Sequence, residues 1–148
     1  MRGFTLIELI MILLIAAVVS ALAMMSAKNP SDINLELAAK KVYYDIGYVR
    51  EKAMAAAKTH RIYLNTPDRV RAGFANYTLI TNPENQKALD YFLGSSYPGV
   101  SVLRNYSVAF DSLGRSNIFK TQTSIQLSAG TKKKYIKIIP ETGRVYVQ

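Results

Sequence analysis

Hydrophobic residues follow three different rhythms along this chain. From position 9 to 27 they are nearly continuous, nineteen residues interrupted only by Ser20 and Ser26. As a helix such a run rises about 28 Å, close to the hydrocarbon thickness of a bilayer. Further on, Leu35, Ala38, Ala39, Val42, Ile46, Val49, Ala53 and Ala57 recur at threes and fours, which places them on one face of an amphipathic helix. The other face carries Glu36, Lys40, Lys41, Asp45, Glu51 and Lys52, with Glu36 and Lys40, and Lys41 and Asp45, at i,i+4 spacing; this face reads as solvated surface. Asn29 can cap, Pro30 suits a first helical position and Asp32 falls in the first turn, so a helix restarts there with a kink and runs over about 31–59.

After Thr59 the period becomes two. Ile62 and Leu64 alternate with Arg61, Tyr63 and Asn65 before the turn residues Thr66, Pro67 and Asp68. Further β-prone runs lie at 70–74, 77–81, 100–103 and 107–110, separated by Asn82-Pro83, Tyr97-Pro98-Gly99 and the turn at Asp111 to Gly114; 84–93 reads as a short helix or lid. The alternation returns in Ile125 and Leu127, Ile136 and Ile138, and Val145 and Val147, joined by hairpin turns at Gly130 and Gly143. A long helix followed by short antiparallel strands is an α+β arrangement in which the sheets bury the amphipathic helical face. Uninterrupted from Phe4 to Thr59 the helix would be about 84 Å long, so half of it protrudes and needs a membrane or other subunits.

Composition narrows the chemistry. The chain of 148 residues fits one domain. It has no Cys, which removes disulfides, thiolate zinc sites and thiol nucleophiles. Nineteen Lys and Arg against ten Asp and Glu give a net charge of +9, which favours anionic surfaces without choosing between nucleic acid and lipid headgroups. Only Arg2 and Glu8 are charged before the apolar run ends. Read from its residues alone, the run fits a secretory signal peptide with Ala21-Leu22-Ala23 as cleavage site, or a plain membrane anchor. Neither explains a carboxylate at the entrance of the span, where burial is costly and usually functional.

The string Gly3, Phe4, Thr5, Leu6, Ile7, Glu8, followed directly by the apolar run, resembles the class III signal of type IV pilins and type II secretion pseudopilins. The resemblance implies a leader of residues 1–3 cut after Gly3 by prepilin peptidase, and a mature chain that begins with N-methylated Phe4. Residues 4–27 become the transmembrane and assembly half of the helix, and 28–148 a periplasmic pilin-like domain. Glu8 takes the family role of meeting the Phe4 amine of a neighbouring subunit, and pairing two charges away from water offsets most of the cost of burying either. The implied partners are other pilin or pseudopilin subunits in a helical filament, the inner membrane and its assembly platform. The segments 48–54, 108–115 and 136–145 resemble the GspH/FimT group of minor pilins and pseudopilins. The function this implies is that of a structural subunit of a type II secretion pseudopilus or a type IV pilus, rather than an enzyme.

A second function competes for the exposed domain. Lys132, Lys133, Lys134 and Lys137, with Arg144, put cations near Tyr135 and Tyr146, a combination that can meet phosphates and stack on bases. This would make the protein a DNA-binding minor pilin of a DNA-uptake pilus. Some FimT proteins end in a glycine-arginine-x-arginine motif, of which Gly143 and Arg144 match the first half while Tyr146 occupies the place of the second arginine. A lysine-studded hairpin edge is also how sheets prevent edge-to-edge pairing. Catalysis has little to stand on: His60 is the lone histidine, Asp111 sits in a turn where it caps backbone amides, and Ser95-Ser96 has no histidine at recognisable spacing. The glycines form no phosphate loop or dinucleotide motif, and no catalytic residue, metal ligand or cofactor is expected.

Overall fold

The computed structural model describes residues 5–26, 30–74, 78–83, 85–116 and 124–148. Two helices come first, α1 (Leu6–Ser26) and α2 (Pro30–Ala55), and the expected kink at Asn29 falls outside the described residues. Every described side chain of α1, as far as Ala21, is exposed, so none of these adds to the core. Among the described residues no helix is long and apolar enough to cross a membrane.

α2 does what its pattern predicts. Leu35, Ala38, Ala39, Val42, Ile46, Val49 and Ala53 are buried, the last six completely. They pack against strands of two antiparallel sheets. The first sheet has the order β3-β2-β1-β5, from β1 (His60–Asn65), β2 (Arg69–Phe74), β3 (Asp90–Phe92) and β5 (Tyr106–Phe110). The second has the order β4-β6-β7-β8, from β4 (Val100–Val102), β6 (Ser124–Ala129), β7 (Lys132–Ile138) and β8 (Val145–Val147). Inward positions such as Ile62, Leu64, Val70, Leu127, Ile136 and Ile138 are essentially inaccessible to water, and Phe110 is the largest fully buried side chain among the described residues. Sheets on a helix bury one face each, the α+β arrangement expected from the change of period.

The structure corrects several expectations. α2 stops at Ala55 rather than near residue 59, because Ala57 takes a left-handed conformation (φ 49°). The Lys58 N–H then donates to the Ala53 carbonyl (3.2 Å) and the Ala57 N–H to that of Met54 (3.3 Å), a double closure of the helix end. Ala57 is therefore exposed and leaves the apolar face. Asp45, expected on the solvated face, is buried: the Tyr91 hydroxyl donates to Oδ2 while Lys41 Nζ lies 3.1 Å from Oδ1. Its companion pair, Lys40 with Glu36 at 3.0 Å, is exposed as expected. Of the strand expected at 77–81, Leu79 and Thr81 make single bridges to Gly73 and Ala88, and Tyr77 lies outside the described residues. The short helix or lid expected over 84–93 is not what forms: 85–89 are turns and bends with a single bridge at Ala88, 90–92 are strand β3, and the helical turn begins only at Leu93, as α3 (Leu93–Ser96); Glu84 is outside the described residues.

Candidate functional site

The first candidate is the start of α1. Gly3 and Phe4 lie outside the described residues. Thr5 precedes the first helical residue, and its N–H and hydroxyl donate to Glu8 Oε2 at 3.0 and 2.8 Å, while the Glu8 N–H donates to Thr5 Oγ1 at 3.4 Å. This reciprocal arrangement is a capping box, which satisfies N–H groups that a helix start leaves unpaired. Glu8 thus has a local partner within its own chain, and its Oε1 takes no part in those bonds. The threonine-to-glutamate spacing was the signal for it, and a reading of Glu8 only as an assembly charge overlooks it.

The second candidate is the basic C-terminal region, and the structure divides it. β7 is interior to its sheet, because β8 pairs with Ile136, Lys137 and Ile138. The lysine-studded edge is therefore confined to the hairpin tip, where β7 runs past the end of β8. Along β7, Lys132 and Lys134 share the face of buried Ile136 and Ile138, whereas Lys133 and Lys137 point to the opposite face. Lys132 is engaged by Asp32 of α2. The tip borders a hollow of about 540 Å³ with Asp32, Ile33 and Glu36, while Arg144 borders another of about 580 Å³ with Tyr43, Gly47, Arg50 and Tyr146. A further hollow of about 490 Å³, lined among others by Lys134, Tyr43, Tyr44 and Tyr146, shares residues with both, so what divides the cations is the alternation along β7, which turns Lys133 and Lys137 away from Lys132 and Lys134.

The residues weighed for catalysis have structural surroundings. His60 is buried with Nδ1 2.8 Å from the Lys58 carbonyl and its ring 4.4 Å from that of Phe74. Asp111 Oδ1 accepts the N–H groups of Leu113 and Arg115, each at 2.9 Å, closing the turn through Gly114. Ser95 and Ser96 belong to the short α3. Among the described residues no three acidic or histidine side chains are grouped to hold a metal.

A third surface went unread in the sequence. The residues of β1 and β2 that alternate with the core, Arg61, Tyr63, Arg69 and Arg71, share the outer face of the first sheet. The pairing sets Tyr63 opposite both Arg71 and Ser107, Arg71 opposite Asp90, and Arg69 opposite Phe92. Arg69 holds Asp90 with two bonds, Nε to Oδ1 at 2.9 Å and Nη2 to Oδ2 at 2.8 Å, and lies 5.5 Å from the Phe92 ring centre. Nε of Arg61 and Nε of Arg71 are buried with no hydrogen-bond partner among the described residues.

The Arg69 hydrogen bond holds the Asp90 carboxyl below the ordinary aspartate range, against the opposing effect of burial and with help from the charges of Arg69 and Arg71. A carboxylate whose folded pKa is depressed stabilises the fold above its unfolded value and loses that contribution as pH falls through the folded one. Asp90→Asn is therefore expected to flatten the stability profile below about pH 4, where unfolded aspartate begins to protonate. The change should be small, as for partly exposed ion pairs in general. Urea midpoints compared at pH 6 and pH 3 measure it, and a wild-type acid slope retained in the variant would show that Asp90 is not its source.

No protein-family model matches the chain, and no curated protein matches it. Two solved structures that resemble it are crystal forms of the type IV minor pilin FimU of Pseudomonas aeruginosa strain PAO1. The P65 form has a TM-score of 0.55 and covers 77% of this chain and 92% of its own. The P21 form has a TM-score of 0.56 and covers 77% of this chain and 87% of its own; both are 13% identical to it. At that identity the likeness establishes the fold: a long N-terminal helix followed by antiparallel sheets, the pilin arrangement.

Proposed function

We propose that the chain is a minor pilin or pseudopilin, a structural subunit that joins a type IV pilus or type II secretion pseudopilus through its N-terminal helix. The observation that carries this reading is α1, an apolar helix whose described side chains are all exposed and which precedes a pilin-like fold. Exposed apolar area of this extent stabilises nothing until lipid or other helices cover it. The leader of residues 1–3, the cut by prepilin peptidase after Gly3, methylation of Phe4, and insertion of 4–27 into the inner membrane with 28–148 in the periplasm complete the proposal. They are supported by the string Gly3 to Glu8 and by the apolar run after it. Placement in the GspH/FimT group rests on the segments 48–54, 108–115 and 136–145. The DNA-uptake alternative has less support, because alternation along β7 divides its four lysines between two faces and Arg144 lies outside the strand.

Intact mass and N-terminal sequence of membrane-extracted protein test the reading. The expected terminus is N-methylated Phe4. A terminus at Met24 would assign the apolar run to a conventional signal peptide, and an uncut Met1 would make it a plain anchor; either overturns the proposal.

A further inference from the structure

The outer face of the first sheet gathers arginine and aromatic side chains. Arg61 and Arg71 are diagonal neighbours across the β1–β2 pair, a placement that typically separates residues by about 7–8 Å and their Cβ atoms by somewhat less. Both bury Nε without a partner among the described residues. The protein itself shields those atoms, so what either residue can still offer a partner is the Nη end of its guanidinium. The acid on the same face, Asp90, is already spent on Arg69. Around the guanidiniums of Arg61 and Arg71 lie the half-buried Tyr63, exposed Phe92 and exposed Ser107. This is the composition of a protein contact, since arginine and aromatic residues are enriched at interface centres and lysine is depleted. The outward positions of β1, β2 and β3 carry no lysine, although lysine is the commoner cation at the C-terminal end of the chain.

We propose that this face docks an acidic surface of a different protein chain, with carboxylates seated in the forks of Arg61 and Arg71 and apolar groups against Tyr63 and Phe92. A planar guanidinium matches a carboxylate with two parallel bonds, through Nε and one Nη as Arg69 does with Asp90, or through its two Nη groups, the arrangement left to Arg61 and Arg71. A second copy of this chain is a poor occupant. It carries +9, and its carboxylates are largely committed: Asp32 to Lys132, Glu36 to Lys40, Asp45 to Lys41, Asp68 to the Gly94 N–H, Asp90 to Arg69 and Asp111 to Arg115. Two such molecules repel, and like-charge juxtaposition suppresses pairing. A continuous polyanion fits less well than a protein, because Asp90 closes the β3 side of the face to a strand of phosphates. The inference does not depend on how α1 is used.

The test uses the full chain in neutral-detergent micelles, with a fluorescein-labelled twelve-residue peptide of alternating glutamate and serine as probe, its carboxylates spaced as on a protein surface, and fluorescence anisotropy at low salt as readout. Arg61→Lys/Arg71→Lys keeps the net charge and removes the planar forks; the peptide Kd is expected to rise tenfold or more while the thermal midpoint stays unchanged. Ser107→Glu offers the forks an internal carboxylate at an exposed site, and so does not depend on the arginine variant folding. It is expected to weaken the peptide to a similar degree, whereas Lys40→Gln, an equal change in charge on the exposed side of α2, moves Kd less than twofold. The proposal fails if Ser107→Glu and Lys40→Gln have equal effects. It also fails if a twelve-residue oligothymidylate binds more tightly than the peptide and loses affinity in the same variants, since the face would then read nucleic acid. Concentration-dependent self-association that the arginine variant abolishes would reassign it to a second copy.

Discussion

Gly143→Ala is expected to lower the stability of the folded domain by about 3 kcal/mol or more, enough to unfold much of the population of an ordinary small domain under mild stress. Gly143 has φ +62°, a conformation that L side chains rarely adopt, but the larger cost is steric. A Cβ there would lie 2.0 Å from the Gly114 carbonyl oxygen and 3.0 Å from Arg50 Nε. That carbonyl accepts the Arg50 Nε–H bond at 3.1 Å, so it cannot withdraw without breaking it. Gly114 is pinned in turn, since a Cβ on it would meet Met54 Sδ at 2.7 Å and Arg50 Nε at 3.1 Å. Two turns, one after β5 and one between β7 and β8, thus close on α2 around a single guanidinium, and a methyl group forces them apart. Gly130→Ala supplies the comparison. Its φ is +59° but a Cβ there meets nothing within 4 Å, so its expected cost is only the backbone strain, about 1 kcal/mol. Urea unfolding should rank wild type above Gly130→Ala and Gly130→Ala well above Gly143→Ala in midpoint. Equal midpoints for the two variants would mean that the turn at Gly143 yields freely.

What the chain discloses before folding is periodicity, and what it withholds is pairing. The seven core residues of α2 were legible because a helix burying one face must repeat them at threes and fours. The helix end was not. Residues 55–58 are three alanines and a lysine, all good helix formers, and the left-handed turn falls on Ala57 where a glycine would have signalled it. Asp45 misled for a related reason: its i,i+4 spacing from Lys41 is that of a surface pair, and only the arrival of Tyr91 from β3 buries it. The strands themselves were visible in Ile62 and Leu64 or Ile136 and Ile138. That β5 crosses to pair with β1, and β4 with β6, depends on long-range contacts that no local residue records. The candidate sites divided along the same line. The capping pair Thr5 and Glu8 is a local motif, present in the sequence. The C-terminal cations form a run in the sequence, but alternation along β7 sends them to two faces. The arginine face is the converse, since Arg61 and Arg71 are ten positions apart and become neighbours only through the register of β1 with β2.

Glu8→Gln separates the two roles now open to that residue. Its carboxylate caps α1 through Thr5 and, in the proposed filament, meets the Phe4 amine of a neighbouring subunit. Glutamine preserves the cap, because its side-chain oxygen accepts the same bonds from Thr5, but it carries no charge to offer an amine. A buried amine left without its counter-charge costs several kcal/mol, whereas loss of a helix cap costs about 1 kcal/mol. The charge role therefore predicts that Glu8→Gln reduces incorporation into filaments tenfold or more while leaving the chain in the membrane fraction. Thr5→Ala, which removes the cap and keeps the charge, should then incorporate within a few-fold of wild type, since about 1 kcal/mol corresponds to roughly a fivefold change. Quantitative immunoblotting of sheared filaments against membranes measures both variants. If Glu8→Gln assembles like wild type and Thr5→Ala does not, the carboxylate serves the start of its own helix, and the register of the filament must come from the apolar side chains of α1.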